Sequence, residues 1–400
     1  MKKVALIGTF DTKGREFKFL KEAIEAQGAA TLCIDAGIYP QDILPPDIPS
    51  AEVARAGGFD LADLATKGDR GGAVEAMMAG AAAIARTIES QIAGIIGMGG
   101  SAGTNIGTAA MRALPIGLPK LMVSSIVAGD VRAYGQGRDI CFMYSVVDIS
   151  GLNSFSTRIL TNAACAIAGM AKAPPAPPDE KKPLLAATMF GVTTPCVTEA
   201  ARILEEAGYE ALVFHATGTG GLAMESLVEA GFIKGVLDIT TTEWCDELVG
   251  GDFPAGPHRL EAAAKKGTPF ILSVGALDMV NFGALDQVPA RFKNRTLYKH
   301  NPTVTLMRTS VEENTRLGQI IAGKANMAQG PAAIFLPLRG VSAIDAAGKP
   351  FDDPEARAAL FAAIRATLNR ERVELVEMDL HINDQTFAAA MAEKLLSFLR

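Results

Sequence analysis

Ile92-Ala-Gly-Ile-Ile-Gly-Met-Gly-Gly-Ser-Ala-Gly-Thr104 decides how this chain is read. Ile92–Met98 is an apolar run of strand length. Gly97, Gly99, Gly100 and Gly103, with the hydroxyls of Ser101 and Thr104, make a polar turn. Thr104–Ala113 then takes up helical spacing. Strand, glycine turn and helix in succession form the repeating unit of a parallel sheet covered by helices. The surrounding uncharged run, Ser90–Met111, holds six glycines as well as Ser, Thr and Asn, which excludes a membrane span.

The same alternation extends in both directions. Upstream, strands are expected at Val4–Thr9 and Ala30–Asp35, with helices at Glu16–Ala26 and Gly72–Gln91. Downstream come strands at Lys120–Ser124 and Ile140–Val147, and a closing helix at Leu152–Met170. Lys172–Pro183 is rich in proline and then charged, so it reads as an extended linker. Beyond it the pattern resumes. Strands are expected at Leu184–Phe190, Ala211–His215, Gly235–Thr240, Pro269–Gly275, Ala332–Pro337 and Val373–Asp379. Helices are expected at Thr194–Ala207, Gly221–Ala230, Leu260–Lys266, Ser310–Ala325, Pro354–Leu368 and Asp384–Phe398. The reading is therefore α/β: two doubly wound, mainly parallel domains, residues 1–175 and 184–400, joined by the linker 172–183 and enclosing a cleft.

Composition sets the outer limits. The 400 residues are 49% hydrophobic and 20% charged, with net charge −6, which excludes a disordered chain. The acidic balance argues against a nucleic-acid partner. Five scattered cysteines without a CxxC pair read as free thiols in a reducing compartment, and the expectation is a cytoplasmic protein with no membrane partner.

Ligands of such sheets bind beyond the carboxyl ends of the strands. Gly97–Thr104 lies at such an end and lets backbone approach an oxyanion. Its spacing fits G-x-G-x-x-A, but no acidic residue follows at the distance that would take a ribose, which disfavours NAD. The G-x-x-x-x-G-K-[ST] phosphate loop is absent from the chain. Tight helix–strand packing is the competing account of these glycines. Gly8-Thr-Phe-Asp-Thr-Lys-Gly14 offers Lys13 to a phosphate. Asp11 there would serve a ribose hydroxyl or a metal ion, or would hold Lys13. A capped, solvated turn explains the same residues. Asp69-Arg70-Gly71-Gly72 opens a helix with an arginine, which is either a phosphate clamp or a surface side chain.

The second half concentrates polar residues at strand ends. His215, Glu243, Asp278 and His381 are candidates for acid, base or metal-ligand roles, converging on one pocket in the cleft. Gly218–Gly221 would open the same edge to an anionic small molecule. Any one of these side chains can instead serve only to satisfy backbone. Cys196 stands at a helix start, where the dipole lowers a thiol pKa, or is a structural cysteine.

Several longer segments carry a resemblance. Gly8–Lys13, Gly99–Thr104, Leu114–Lys120, Ser145–Ile149, Phe214–Gly221, Gly235–Glu243, Leu272–Gly283, Leu306–Thr309, Gly340–Asp345 and His381–Asp384 resemble the family of the ATP-binding domain of the plant tomato-mosaic-virus resistance protein, with its bacterial and fungal relatives. The resemblance spans essentially the whole chain. It implies two Rossmann-like subdomains, homodimers, and ATP on the first subdomain. Carried over by motif, the nucleotide would meet Asp11, Thr12 and Lys13, then Arg70, then Gly99, Gly100, Ser101 and Ala102, with Gly103 and Thr104 completing the loop. Ala102 replaces a glycine of the plant protein. The expected function is nucleotide binding, with a divalent metal as a possible companion. The alternative is a metabolic enzyme using the second domain's polar strand ends.

Overall fold

The computed structural model describes residues 2–173 and 182–400. Residues 174–181, most of the proline-rich segment, lie outside the described residues. The chain divides into two compact units, Met1–Pro177 and Pro178–Arg400.

In the first unit, apolar runs form β1 (Lys3–Gly8), β2 (Thr31–Asp35), β3 (Ile92–Gly99), β4 (Lys120–Ser124) and β5 (Cys141–Tyr144). The helices are α1 (Phe10–Ala26), α2 (Ser50–Ala56), α3 (Leu61–Lys67), α4 (Arg70–Ile88), α5 (Ser101–Arg112), α6 (Arg132–Gly135) and α7 (Ser154–Lys172). The strands lie in the order β2-β1-β3-β4-β5, and every pairing is parallel. Apolar side chains cover both faces. Phe17, Leu20 and Ile24 of α1 join Leu160 and Ile167 of α7 on one side. Met77 and Ile84 of α4 join Ile106 and Ala110 of α5 on the other. The helices that follow β1 and β3 thus leave to opposite faces.

Two helices begin earlier than hydrophobic periodicity predicts. α1 opens with a turn from Phe10 that kinks at Lys13 (φ −133°, ψ 27°), and α5 absorbs Ser101–Gly103 of the glycine turn. The short α2 and α3 lie where the sequence reading placed no element.

The second unit repeats the scheme with β6 (Leu184–Met189), β7 (Glu210–His215), β8 (Ile233–Thr240), β9 (Phe270–Gly275), β10 (Met279–Phe282), β11 (Leu297–Asn301), β12 (Val304–Arg308), β13 (Ala332–Pro337) and β14 (Glu374–Met378). Its helices are α8 (Thr194–Glu206), α9 (Thr219–Glu229), α10 (Glu243–Val249), α11 (Ala262–Lys266), α12 (Val311–Ala325), α13 (Pro354–Thr367) and α14 (Gln385–Leu399). Six strands pair in parallel in the order β7-β6-β8-β9-β13-β14. Between β9 and β13 the chain inserts an antiparallel sheet, β10-β12-β11, which the sequence reading missed. One face of that sheet packs Met279 and Leu306 on Phe190, Val192 and Phe351. Each unit is thus a doubly wound, Rossmann-like α/β layer.

Helix α2 lies close against α4 because Gly80 has no side chain. A Cβ there would stand 2.0 Å from the Val53 carbonyl oxygen. Gly80→Ala is expected to lower stability by about 1–3 kcal/mol through overpacking. Urea titration followed by far-ultraviolet circular dichroism checks this, and an unchanged midpoint would refute the contact.

Candidate functional site

In the first unit the crevice between the carboxyl ends of β1 and β3 is the topological switch point, where open α/β sheets hold ligands. A cavity of about 380 Å³ lies there. Thr9, Asp11 and Thr12 border it from the start of α1, Ala36–Tyr39 from the loop after β2, Arg70 from the start of α4, and Ala102 from α5. Leu64, Val74 and Met77 add an apolar wall.

Asp11 accepts the Ile38 and Tyr39 N–H groups on Oδ2 at 3.0 and 3.1 Å. Its Oδ1 is buried without a partner among the described residues. Gly37 lets the carboxylate lie this close, since a Cβ there would be 2.5 Å from Asp11 Cγ. Thr12 Oγ1 sits 2.8 Å from Thr9 Oγ1. Lys13 does not border the cavity. Its ammonium donates to the Ile149 carbonyl instead of to Asp11. Arg70 is exposed at the first turn of α4, with no ion pair among the described residues.

The glycine turn divides by role. A Cβ on Gly99 would meet Gly103 Cα at 2.9 Å, and one on Gly103 would meet the Met98 oxygen at 3.0 Å. Packing therefore accounts for both. At Gly100 the nearest atom to a Cβ would be Ser125 Oγ at 3.6 Å, so packing leaves room for a Cβ. Thr104 is fully buried and ties α5 to β4, its Oγ1 2.7 Å from Ser124 Oγ. No side chain caps α5, so the N–H groups of Ser101, Ala102 and Gly103 face outward from an open helix terminus. The Ala36–Tyr39 wall was missed in the sequence. The 2-1-3 strand order would have found it, because β2 neighbours β1.

In the second unit the four candidates have different partners, and only Asp278 and His381 share one, Ser342. Glu243 is fully buried and accepts Arg259 Nε at 2.6 Å and the N–H groups of Gly218 and Gly221 at 2.7 and 3.1 Å. The start of α9 is therefore filled by a carboxylate of the chain itself. Arg259 also grips Asp238 through two nitrogens, at 2.5 and 2.8 Å. Sequence reasoning missed this arginine, which follows an irregular segment with no periodic signal. Asp278 accepts the Ser342 hydroxyl at 2.7 Å, and its other oxygen is buried without a partner among the described residues. His381 Nδ1 accepts the Asn383 N–H, so its Nε2 carries the proton and donates to the Ser342 carbonyl at 2.9 Å. Asp278 and His381 thus meet at Ser342. His215 ends the edge strand β7 and stacks on Phe190 with ring centroids 5.4 Å apart. Among the described residues no three His, Cys, Asp or Glu side chains gather as metal ligands. No helix among them is long and apolar enough to cross a membrane.

Models of the N-terminal and C-terminal domains of the uncharacterised protein family UPF0261 match residues 2–176 and 182–399. The chain belongs to the UPF0261 family. A UPF0261 protein of Clostridium tetani is 54% identical over 100% of this chain and 99% of its own length. One from Mesorhizobium japonicum is 49% identical, covering 98% of each chain. The ToMV resistance protein Tm-1(GCR237) of Solanum lycopersicum is 40% identical over 98% of this chain and 55% of its own.

Burial dominates the electrostatics of this UPF0261 chain. It pushes Glu225 and Glu243 up, against the pull of Arg259. Burial also disfavours the charge on Arg259, yet Asp238 and Glu243 outweigh it and hold the guanidinium well above its usual range. Cys196 is likewise raised by burial, which overrides any lowering by the helix dipole, so it is a structural thiol. All five cysteines are free. Arg259→Met would leave the buried carboxylates of Asp238 and Glu243, and the partly buried one of Glu225, without their cation. A loss of about 3–5 kcal/mol is expected in chemical denaturation, and a loss within error would refute the cluster's structural role.

Burial raises Asp246 and Asp278 to about 7, with Asp345 adding repulsion at Asp278. Ordinary aspartates titrate near about 3.9, so between about pH 4 and 7 the folded state binds more protons than the unfolded one. Their contribution to stability is complete below that window and is lost as pH rises through it. Glu261, lowered to about 2 by its lysine partners against a desolvation penalty, acts oppositely and loses its contribution as pH falls below about 4.5. Asp278→Asn should flatten the decline between pH 4 and 7 in urea midpoints. An unchanged slope would remove Asp278 as its source.

Proposed function

We propose that the first unit binds a nucleotide, with ATP as the ligand. The observation that carries this reading is the cavity at the β1/β3 switch point, walled by apolar side chains on one side and by an open helix terminus on the other. Its volume suits a small organic ligand. Ile38, Leu64, Val74 and Met77 offer a surface for a base. Asp11 supplies acceptor oxygens for a ribose hydroxyl or an amine, a role open to a carboxylate that could not hold a phosphate. The N–H groups of Ser101–Gly103 and the guanidinium of Arg70 favour the phosphates. The same resemblance carries the homodimer into this reading. Acid or base chemistry in the second unit has less behind it, because Glu243 is consumed by Arg259 and only Asp278 and His381 share a neighbour.

Calorimetry with ATP tests the proposal. Arg70→Ala should weaken binding by about 1.5–3 kcal/mol if the contact is charge-assisted. Gly100→Ala should weaken ATP at a small cost in melting temperature, since a Cβ has room in the fold and narrows the approach to the α5 terminus, while alanine is a poorer helix cap than glycine. A wild-type chain that binds no adenine nucleotide overturns the reading.

A further inference from the structure

Lys13 and Glu16 stand three residues apart at the start of α1, and both reach the segment before α7. The Lys13 ammonium donates to the carbonyl of Ile149. The Glu16 carboxylate, only 4% exposed, accepts the N–H of Gly151 at 2.6 Å. Cation meets carbonyl and anion meets amide, so Ile149–Gly151 is gripped at two points of matched polarity. Neither side chain has another polar partner among the described residues.

The gripped segment is unusual. Val146 is β-branched yet sits at φ +64°, a conformation such residues rarely hold without external constraint. Around it Tyr144, Val146, Leu152 and Phe155 are 43–64% exposed, an apolar patch at the same carboxyl edge of the sheet as the cavity. An ammonium has three N–H donors, and Ile149 uses one. The others have no partner among the described residues, and Thr12, the residue before Lys13, borders the cavity.

We infer that Lys13 and Glu16 form a clasp that couples occupancy of the nucleotide cavity to the order of the surface segment Tyr144–Phe155. This rests on the nucleotide reading above. Thr9, Asp11 and Thr12 of the same turn line the cavity, so a ligand that fixes this turn fixes Lys13 on Ile149, and the grip on Ile149 in turn steadies the cavity wall. Coupling of this kind is reciprocal: the factor by which ligand favours the ordered segment is the factor by which the ordered segment favours ligand. Glu16 is then a positioning residue, acting on the ligand only through the segment and Lys13. The surface patch reports whether the cavity is filled.

Hydrogen exchange read by mass spectrometry over residues 145–153 of the full chain, with and without ATP, tests the coupling alongside calorimetry. In the wild type ATP should slow exchange about tenfold. Lys13→Met should speed exchange without ligand, and ATP should no longer slow it. Glu16→Ala should weaken ATP about fivefold, Glu16→Gln should restore most of the affinity, and in the Lys13→Met background Glu16→Ala should change nothing further. Unchanged exchange in ligand-free Lys13→Met, or an equal Glu16→Ala effect in both backgrounds, overturns the clasp. ATP binding with unaltered exchange overturns the coupling alone. A wild type that binds no ATP overturns the nucleotide reading and the coupling together.

Discussion

Two neighbouring parallel strands whose following helices leave to opposite faces cannot fill the space between their carboxyl ends with backbone. In the first unit that constraint falls on β1 and β3, with α1 leaving to one face and α5 to the other. The gap is edged by the first turns of two helices, and everything else at that edge is arranged around it. Gly99 and Gly103 approach closely enough to seat α5 directly on the strand end, which leaves its first N–H groups pointing outward with no side chain to cap them. The loop after β2 then folds over the remaining side, anchored by its two N–H bonds to Asp11.

The second unit has the same 2-1-3 strand order and resolves the same gap differently. There the switch point falls between β6 and β8. Thr193 and Thr240 close it with hydroxyls 2.7 Å apart, and Thr240 also reaches the Thr188 carbonyl. Thr188 in turn donates to Asp238, which leads through Arg259 to Glu243 and the start of α9. The network supplies its own anion to a helix terminus that an external ligand would otherwise occupy. One topology therefore gives an open crevice in one unit and a sealed polar core in the other, and the side chains decide which.

The eleven parallel strands were legible because most are continuous apolar runs bounded by glycine or polar residues, as burial on both faces of a sheet demands, while the edge strands β5, β7 and β14 are partly exposed and β14 carries Glu374 and Glu377. The antiparallel strands β10 to β12 were not. They are four or five residues long, and their signal merges with the polar strand end at Ser273–Asp278. In the site, the segments carrying Asp11, Arg70 and Gly97–Thr104 could be found from glycines and charges beside strand ends. The grouping of Ala36–Tyr39 with them could not, because it depends on which strand neighbours which. Lys13 shows a different limit: its residue type was evident, but its partner is a backbone carbonyl 136 positions away. The ion cluster around Arg259 is hidden for the same reason, since Asp238 lies in a strand and Arg259 in an irregular stretch 21 residues later.

Unpartnered buried oxygens show how the two units divide their chemistry. Leaving such an atom unsatisfied costs about 1–3 kcal/mol, so each one implies a compensation. Asp11 Oδ1 belongs to a carboxylate at a cavity wall, where a small molecule can bring a donor. Asp278 Oδ1 belongs to a side chain enclosed by Ser342, Arg308 and Asp345, where only a proton can arrive, and its pKa of about 7 is the result. The same orphaned acceptor therefore has opposite consequences. At a cavity wall it leaves an acceptor that no group of the described residues satisfies. In a sealed core it makes stability depend on pH. Position relative to a cavity, which neither residue type nor spacing reveals, separates the surroundings of these two aspartates.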